Sequence, residues 1–375
     1  MKLVFLSHDS NYNGGAQRCL VDLLKGIRRI HPEWQLYVVF PGEGDLIEVC
    51  SNFITGYTII PMKWWLMEGN ERIGLKRKIS YINYMRKVIM KLLHYLLVIR
   101  PNYGVTNTIV VPYLSLACWI LNIKHLWFIH EIPNTWKDRN FVFTISTILN
   151  WLNRLSRKII VPSEYTLSFY KNKVALGKIV VINQAVELNY NTNYSRGLHN
   201  RVYTVLLVGA FDSNKGQIEL LQALYMIVNC GKKIFCYLVG SDAGYMCQCE
   251  EYVASHGLND YVKFVPYTND VLQYYYLSDV LVVCSGFETF GRVAVEAQKC
   301  GLPVILTNVG ANPERIVDRV NGLLYNKGNI KELAEKIEFL RDEGIRSKYS
   351  KNINLLRLEK YNLETFAQNF IELLK

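Results

Sequence analysis

The sequence predicts an α/β fold of two doubly wound domains, each built on a parallel sheet, facing one another across an interdomain cleft. Its 375 residues suit two domains of roughly 100–200 residues each. Short apolar runs alternate with amphipathic stretches almost from end to end, the rhythm of parallel strands joined by crossover helices. The stretch 187–201 (ELNYNTNYSRGLHNR) is polar, aperiodic and rich in Asn and Tyr, and the rhythm restarts after it. The expected organisation is a first domain at 1–186, a linker at 187–201, a second domain at 202–355, and a C-terminal helix at 356–375 that can return to the first domain.

The elements follow in order. Leu3–Leu6 reads as a strand and Ala16–Arg29 as a helix, with apolar positions at Leu20, Leu23, Leu24 and Ile27. Leu36–Phe40 is a strand ended by Pro41-Gly42. Residues 76–100 form a basic amphipathic helix, with Pro101 just beyond its end. It reads either as an ordinary helix with its polar face in water or as a helix lying on an anionic membrane surface with Trp64-Trp65. His125–His130 and Lys158–Val161 are strands around a helix at Phe141–Ser156, and Lys178–Ile182 is one more. In the second domain, strands at Val205–Val208, Ile234–Val239, Val262–Phe264, Val280–Cys284 and Pro303–Leu306 alternate with helices at Ile218–Val228, 244–256, 269–277 and 291–300. A last helix covers 329–341. Two such domains place a ligand cleft at the carboxyl ends of their strands.

Half of the residues are hydrophobic and a fifth are charged, an ordinary globular balance. The net charge of +11 is one-sided. Residues 1–190 hold 23 Lys+Arg against 12 Asp+Glu, while residues 191–375 hold 20 of each. This basic half is either a field for anionic partners or a solvated face. No recognition motif for nucleic acid accompanies it, so a nucleic-acid partner is not expected. Nine scattered cysteines, with Cys247 and Cys249 the sole close pair, read as reduced thiols of a cytoplasmic protein. The apolar run after Lys2 is too short for a signal-peptide core, and no run of 18 apolar residues exists to span a membrane.

Several loops could carry chemistry. Gly209-Ala-Phe-Asp-Ser-Asn-Lys215-Gly216 follows a strand and opens a helix. Its glycines, helix start and lysine suit a diphosphate, although a plain turn has the same composition. Gly14-Gly15 is a similar loop in the first domain, fit for close ligand approach or for a tight turn. Ser285-Gly-Phe-Glu288-Thr289-Phe290-Gly291-Arg292-Val-Ala-Val-Glu296 again joins a strand to a helix. Its two carboxylates can accept hydroxyl hydrogen bonds from a sugar and a ribose, and the N–H groups of Phe290, Gly291 and Arg292 can face a phosphate. Capping and surface roles are the alternative for such a pair. His130, followed by Glu131, ends a strand and either faces the cleft or is a hydrogen-bonded structural histidine. Glu314 is a lesser candidate. Asp-x-Asp, Walker, Gly-x-Ser-x-Gly and His-Glu-x-x-His patterns are absent, so no metal site and no bound cofactor are expected.

Taken in order, these motifs resemble the retaining GT-B glycosyltransferases of family four, the glycosyl transferases group 1, of the bacterial cell-surface polysaccharide type. Glu288-x7-Glu296 resembles the family's paired glutamates. Gly301-Leu-Pro-Val, Gly310-Ala-Asn-Pro-Glu314 and Asn321-Gly-Leu-Leu follow in the family's order. Val208-Gly209…Lys215-Gly216 resembles its phosphate loop and Gly14-Gly15-Ala16 its N-terminal glycine loop. Val161-Pro-Ser-Glu164 and Val181-Ile-Asn-Gln-Ala-Val-Glu187 resemble the end of its first domain. The resemblance covers almost the whole chain and is clearest over 205–325.

What it implies is a GT-B fold of two facing Rossmann-like domains and a retaining, metal-independent hexosyltransferase. A nucleotide-diphosphate sugar is the implied donor. The implied acceptor is a glycan or a polyprenyl-diphosphate-linked saccharide at the inner face of the cell membrane. Glu288 would contact the transferred sugar and Glu296 the ribose. Lys215, Gly209, Gly216, Ser285, Thr289, Phe290, Gly291 and Arg292 would surround the donor. Gly14 and Gly15 would approach the donor phosphates and acceptor, His130 would line the reaction centre as a catalytic residue with Glu288 and Lys215, and His130 and Glu131 would line the acceptor side. Four positions depart from the pattern: Ala210 replaces a basic residue after the loop glycine, Gln184-Ala185 replaces Asn-Gly, and Ala311 replaces a glycine. Arg292 is the expected substitute for the charge missing at Ala210. The alternatives are a catalytically silent GT-B subunit and a nucleotide-sugar epimerase on the same fold.

Overall fold

The computed structural model describes residues 1–69, 73–133, 139–175, 177–188, 202–355 and 358–375. The chain forms two compact units, Met1–Val186 with Lys360–Lys375, and Glu187–Glu359. Of the expected linker, residues 189–201 lie outside the described residues.

In chain order the first unit runs β1 (Lys2–Leu6), α1 (Gly15–Ile30), β2 (Gln35–Phe40), α2 (Asp45–Ser51), β3 (Gly56–Ile59), β4 (Leu66–Glu68), α3 (Leu75–Ile99), β5 (Tyr103–Thr106), α4 (Tyr113–Ile120), β6 (Lys124–Phe128), β7 (Arg139–Phe141), α5 (Ile145–Leu155), β8 (Lys158–Val161), α6 (Glu164–Tyr170) and β9 (Ile179–Val181). Seven strands form a parallel sheet ordered β3-β2-β1-β5-β6-β8-β9. The order reverses between β1 and β5, so the loops leaving those two strands flank a switch point.

The second unit runs β10 (Thr204–Val208), α7 (Gln217–Asn229), β11 (Phe235–Val239), α8 (Met246–Ser255), β12 (Val262–Val265), α9 (Leu272–Leu277), β13 (Val280–Val283), α10 (Arg292–Lys299), β14 (Val304–Thr307), β15 (Gly322–Tyr325), α11 (Ile330–Phe339) and α12 (Glu343–Leu355). Its six parallel strands are ordered β12-β11-β10-β13-β14-β15. Central β13 is buried at every residue, which is why its sequence is an unbroken Val/Leu run rather than an alternation. Here the switch point lies between β10 and β13.

The chain then closes with α13 (Leu363–Glu372), which packs in the core of the first unit. Phe366, Ala367, Phe370 and Leu374 share a cluster with Phe5, Leu24 and Phe128. Gly26 makes this approach possible: a Cβ there would sit 2.7 Å from the Cβ of Ala367 and 2.8 Å from the Leu363 carbonyl. The Tyr103 hydroxyl donates to the Leu374 carbonyl at 2.6 Å, and the Val186 N–H to the Tyr361 carbonyl at 3.0 Å.

Local boundaries differ from the sequence expectation where pairing is non-local. Leu66–Glu68 and Arg139–Phe141 form an antiparallel two-stranded sheet, so the helix expected from Phe141 begins at Ile145, where the Thr144 hydroxyl caps it by accepting from the Thr147 N–H at 3.2 Å. Trp65, expected at a membrane surface, is instead fully buried. It stacks on Trp127 and packs at a tilt against Trp151, and its indole donates to the Ile109 carbonyl at 2.7 Å. Trp64 is half-buried and donates to the His8 carbonyl at 3.1 Å.

Candidate active site

The two loops at the second switch point are those that the sequence singles out. In the first, Asp212 Oδ1 accepts from the N–H groups of Asn214 (2.7 Å) and Lys215 (3.1 Å), closing a side-chain-capped turn. Gly216 then adopts φ +69°, and a Cβ there would lie 2.4 Å from the Cys284 carbonyl. Only glycine lets this loop rest against the end of β13. The second loop is bound to the first by its backbone: Gly286 N–H donates to the Asn214 carbonyl at 2.7 Å, and Asn214 Nδ2 to the Phe287 carbonyl at 3.1 Å.

This arrangement sets Lys215 against Glu288. The Lys215 Nζ to Glu288 Oε1 distance is 2.5 Å, and the Ser285 hydroxyl donates to the same oxygen at 2.9 Å. Glu288 Oε2 has no hydrogen-bond partner among the described residues, and the side chain is 13% exposed. Burial is the largest influence on Lys215 and opposes its charge, but the Glu288 carboxylate and Asp212 outweigh it and hold the amine above its ordinary value.

A shelf supports the glutamate. Gly310, at φ +61°, passes so close that a Cβ would lie 2.4 Å from the Glu288 carbonyl. Ala311 N–H donates to that carbonyl at 2.9 Å. The Thr307 hydroxyl donates to the Ser285 carbonyl at 2.8 Å and accepts from Asn312 Nδ2 at 2.9 Å. Asn312 Oδ1 is buried with no hydrogen-bond partner, and it lies 3.3 Å from where a Cβ on Gly291 would sit. Gly291, at φ +82°, precedes α10, which has no side-chain cap and no acidic residue in its first turn. The positive end of that helix thus carries neither a capping side chain nor a first-turn carboxylate of its own. Phe290 is buried beneath the Arg315 guanidinium, 4.6 Å from the ring centroid, so its ring fills the core.

Glu296 is buried on α10. The Tyr275 hydroxyl donates to its Oε2 at 2.8 Å, and Arg292 Nε lies 3.9 Å from its Oε1. Arg292 is thus engaged along its own helix with Glu296. Lys327, a cation that sequence reasoning missed, is bonded to Glu219 and donates to the Cys284 carbonyl at 2.7 Å. Tyr275→Phe removes a hydrogen bond to a buried carboxylate and is expected to lower stability by about 1.5–3 kcal/mol. Urea unfolding checks this, and an unchanged midpoint would rule the bond out.

In the first unit, Gly14-Gly15 open α1 directly after the β1 loop, with Gly14 extended and no side-chain cap. His130 is buried, its ring stacked on Phe128 with centroids 4.5 Å apart. Gln184 Nε2 donates to its Nδ1 at 2.9 Å, so Nε2 carries the proton it donates to Asn107 Oδ1 at 2.9 Å. Asn107 Nδ2 in turn donates to the Ala16 carbonyl at 2.8 Å. His130, the β5 loop and the glycine loop therefore form one hydrogen-bonded chain beside the first switch point. Glu131 serves its own unit: its carboxylate accepts from the Thr108 hydroxyl (2.8 Å) and the N–H groups of Ile109 and His130 (both 3.1 Å). Burial raises its pKa despite these three donors. Among the described residues, no cluster of three His, Cys, Asp or Glu side chains is placed to hold a metal.

Asp212, Asn214, Tyr275, Asn312, Asn107 and Gln184 were not anticipated as site residues. The Asp212-x-Asn214 turn signature was readable; Tyr275 and Asn107 meet their partners through tertiary contacts that no local spacing shows.

The family model of glycosyl transferases group 1 matches residues 195–355. That segment is a group 1 glycosyltransferase domain. The chain is 29% identical over 182 residues to the capsular polysaccharide biosynthesis glycosyltransferase CapM of Staphylococcus aureus, covering 48% of this chain and 47% of CapM. It is 33% identical over 183 residues to spore coat protein SA of Bacillus subtilis, covering 46% of each chain. The chain thus spans about half the length of these curated relatives. Among solved structures, Anabaena Alr3699/HepE in complex with UDP-glucose superposes with a TM-score of 0.80 at 22% identity, covering 99% of this chain and 98% of that one. TarM superposes with a TM-score of 0.76 at 12% identity, covering 100% and 98%. The fold is GT-B, with two Rossmann-like units each on a parallel sheet.

Proposed function

We propose that this protein is a retaining hexosyltransferase that moves a sugar from a nucleotide-diphosphate sugar to a hydroxyl of a glycan or lipid-linked acceptor in cell-surface polysaccharide synthesis. The observation that carries this reading is the Lys215–Glu288 pair at the switch point, with Glu288 Oε2 open to a ligand. CapM, a capsular polysaccharide glycosyltransferase, and HepE, which binds UDP-glucose, support it and make UDP-hexoses the first donors to assay.

The roles follow from charge and position. Glu288 Oε2 accepts a hydroxyl of the transferred sugar, and Glu296 is the ribose contact. The diphosphate lies where Lys215 and the N–H groups at the start of α10 meet its charge, with Gly209, Gly216, Ser285, Thr289 and Arg292 around it. As the bond from the anomeric carbon to phosphate oxygen breaks, these groups stabilise the departing charge without a metal. The acceptor hydroxyl attacks from the same face, its oxygen bonds the anomeric carbon, and its proton passes to a leaving phosphate oxygen. In the first unit, His130 lines the acceptor side, while Gly14 and Gly15 let acceptor and phosphate approach the backbone. The acceptor we favour is polyprenyl-diphosphate-linked, at the inner face of the cell membrane.

Lys215→Ala tests the donor clamp. Loss of a charge-assisted contact worth about 1.5–3 kcal/mol should weaken UDP binding roughly 10–100-fold in isothermal titration. Unchanged UDP affinity would remove Lys215 from the site. Absence of turnover with every UDP-, GDP- or TDP-hexose offered, with an acceptor extract present, would overturn the enzymatic reading and favour a silent subunit.

A further inference from the structure

We propose that α3, with the exposed end of the neighbouring α4, docks the first unit on an anionic lipid surface. The physiological sense of this surface rests on the transferase reading, because a lipid-linked acceptor lies in a membrane. The test does not, because vesicle binding is read without donor or acceptor.

The helix has two apolar faces. Tyr81, Met85, Val88, Leu92 and Leu96 are buried in the unit, as an amphipathic helix requires. A second set stands outward: Leu75 is 73% exposed, Ile79 51%, Met90 65% and Leu97 58%. At 100° per residue these four fall within about 60° of one another, so they form a stripe rather than scattered exposures. The helix has 25 residues, and the stripe runs along most of its roughly 38 Å length. Trp119 and Ile120 at the end of α4 add a further exposed apolar tip. Aromatic and aliphatic side chains of this kind favour a membrane interface.

Charge names the occupant. Between Glu71 and Glu131 the sequence has no acidic residue and nine Lys or Arg. Lys76, Lys87 and Lys91 are exposed beside the apolar stripe, and Arg86 lies within it. Lys76, Ile79, Ser80, Asn83, Tyr84 and Lys87 line a surface groove of about 510 Å³. It combines two ammonium groups with neutral hydrogen-bonding side chains, a chemistry suited to a phosphate headgroup. Exposed lysines flanking an apolar stripe complement a lipid surface, where lysines reach headgroups while the stripe enters the acyl boundary. Among the described residues, no helix is long and apolar enough to cross a membrane, so α3 lies on the surface.

The full chain is sedimented with phosphatidylcholine vesicles, with and without phosphatidylglycerol, at low and high salt. Wild type should bind vesicles containing phosphatidylglycerol, less so at high salt. Two variants at exposed positions are compared: Lys76→Glu/Lys87→Glu/Lys91→Glu, and Leu75→Ser/Ile79→Ser/Met90→Ser. Each should lower vesicle affinity at least roughly tenfold with unchanged thermal midpoint and UDP affinity. No binding at either salt, equal binding to pure phosphatidylcholine, or wild-type binding by both variants would overturn the proposal. Loss of UDP binding in wild type would instead strike the transferase reading and leave this surface standing.

Discussion

Replacing Glu288 by alanine is expected to cut turnover by roughly 10²–10³-fold, the range seen when one preorganised group in a reaction centre is removed. That corresponds to about 2.7–4 kcal/mol of transition-state stabilisation. Two losses combine. The sugar contact proposed for Glu288 is removed, and Lys215 loses the neighbour that holds its charge against burial. The fold should survive, because the loop is tied by backbone and by Asn214, Thr307 and Ala311 rather than by the carboxylate. Steady-state turnover of UDP-hexoses beside a thermal melt checks both halves. A variant with wild-type kcat would sink the assignment, while one that unfolds would show the carboxylate to be structural. Glu288→Gln separates charge from shape: it can still accept from Ser285, so a comparable loss there assigns the effect to the negative charge.

The alternation of strands and helices was legible because parallel strands covered on both faces are written as continuous apolar runs, as in β13. The switch-point loops were legible because their geometry demands rare residues: glycine at positive φ in Gly216 and Gly291, and a lysine beside them. What was hidden depends on tertiary pairing. Three-residue β4 and β7 carry no period of their own, and only their antiparallel register makes them a sheet. Trp64-Trp65 looked like an interfacial pair, but that register buries Trp65 in an aromatic cluster. Arg292 looked like a replacement for the charge absent at Ala210. Its place one helical turn before Glu296 gives it a carboxylate neighbour on its own helix. At Gln184 a departure from the family pattern proved to be a hydrogen-bond donor to His130, a role that spacing along the chain could not show.

Phe366→Ala is expected to destabilise the first unit by about 3–5 kcal/mol, the usual cost of emptying a buried aromatic site. Against a typical total of about 5–15 kcal/mol, that is a large share. The reason lies in where the last helix goes. Phe366 and Phe370 face Phe128 of β6 and Phe5 of β1, with ring centroids 6.0 and 6.2 Å apart. These strands lead into His130 and the glycine loop, so a cavity beneath them loosens the residues proposed for the acceptor side. Gly26→Val should act from the opposite side, since its Cβ already meets Ala367 and the backbone at Leu363. All seven tryptophans fall within residues 34–151, so tryptophan fluorescence follows the first unit alone while far-UV circular dichroism follows both. Under urea the fluorescence midpoint of Phe366→Ala should fall while UDP still binds the second unit, whose loops share no core residue with α13. An unmoved fluorescence midpoint would mean that α13 contributes little to the first unit's core. A simultaneous loss of UDP binding would mean that the two units do not unfold separately.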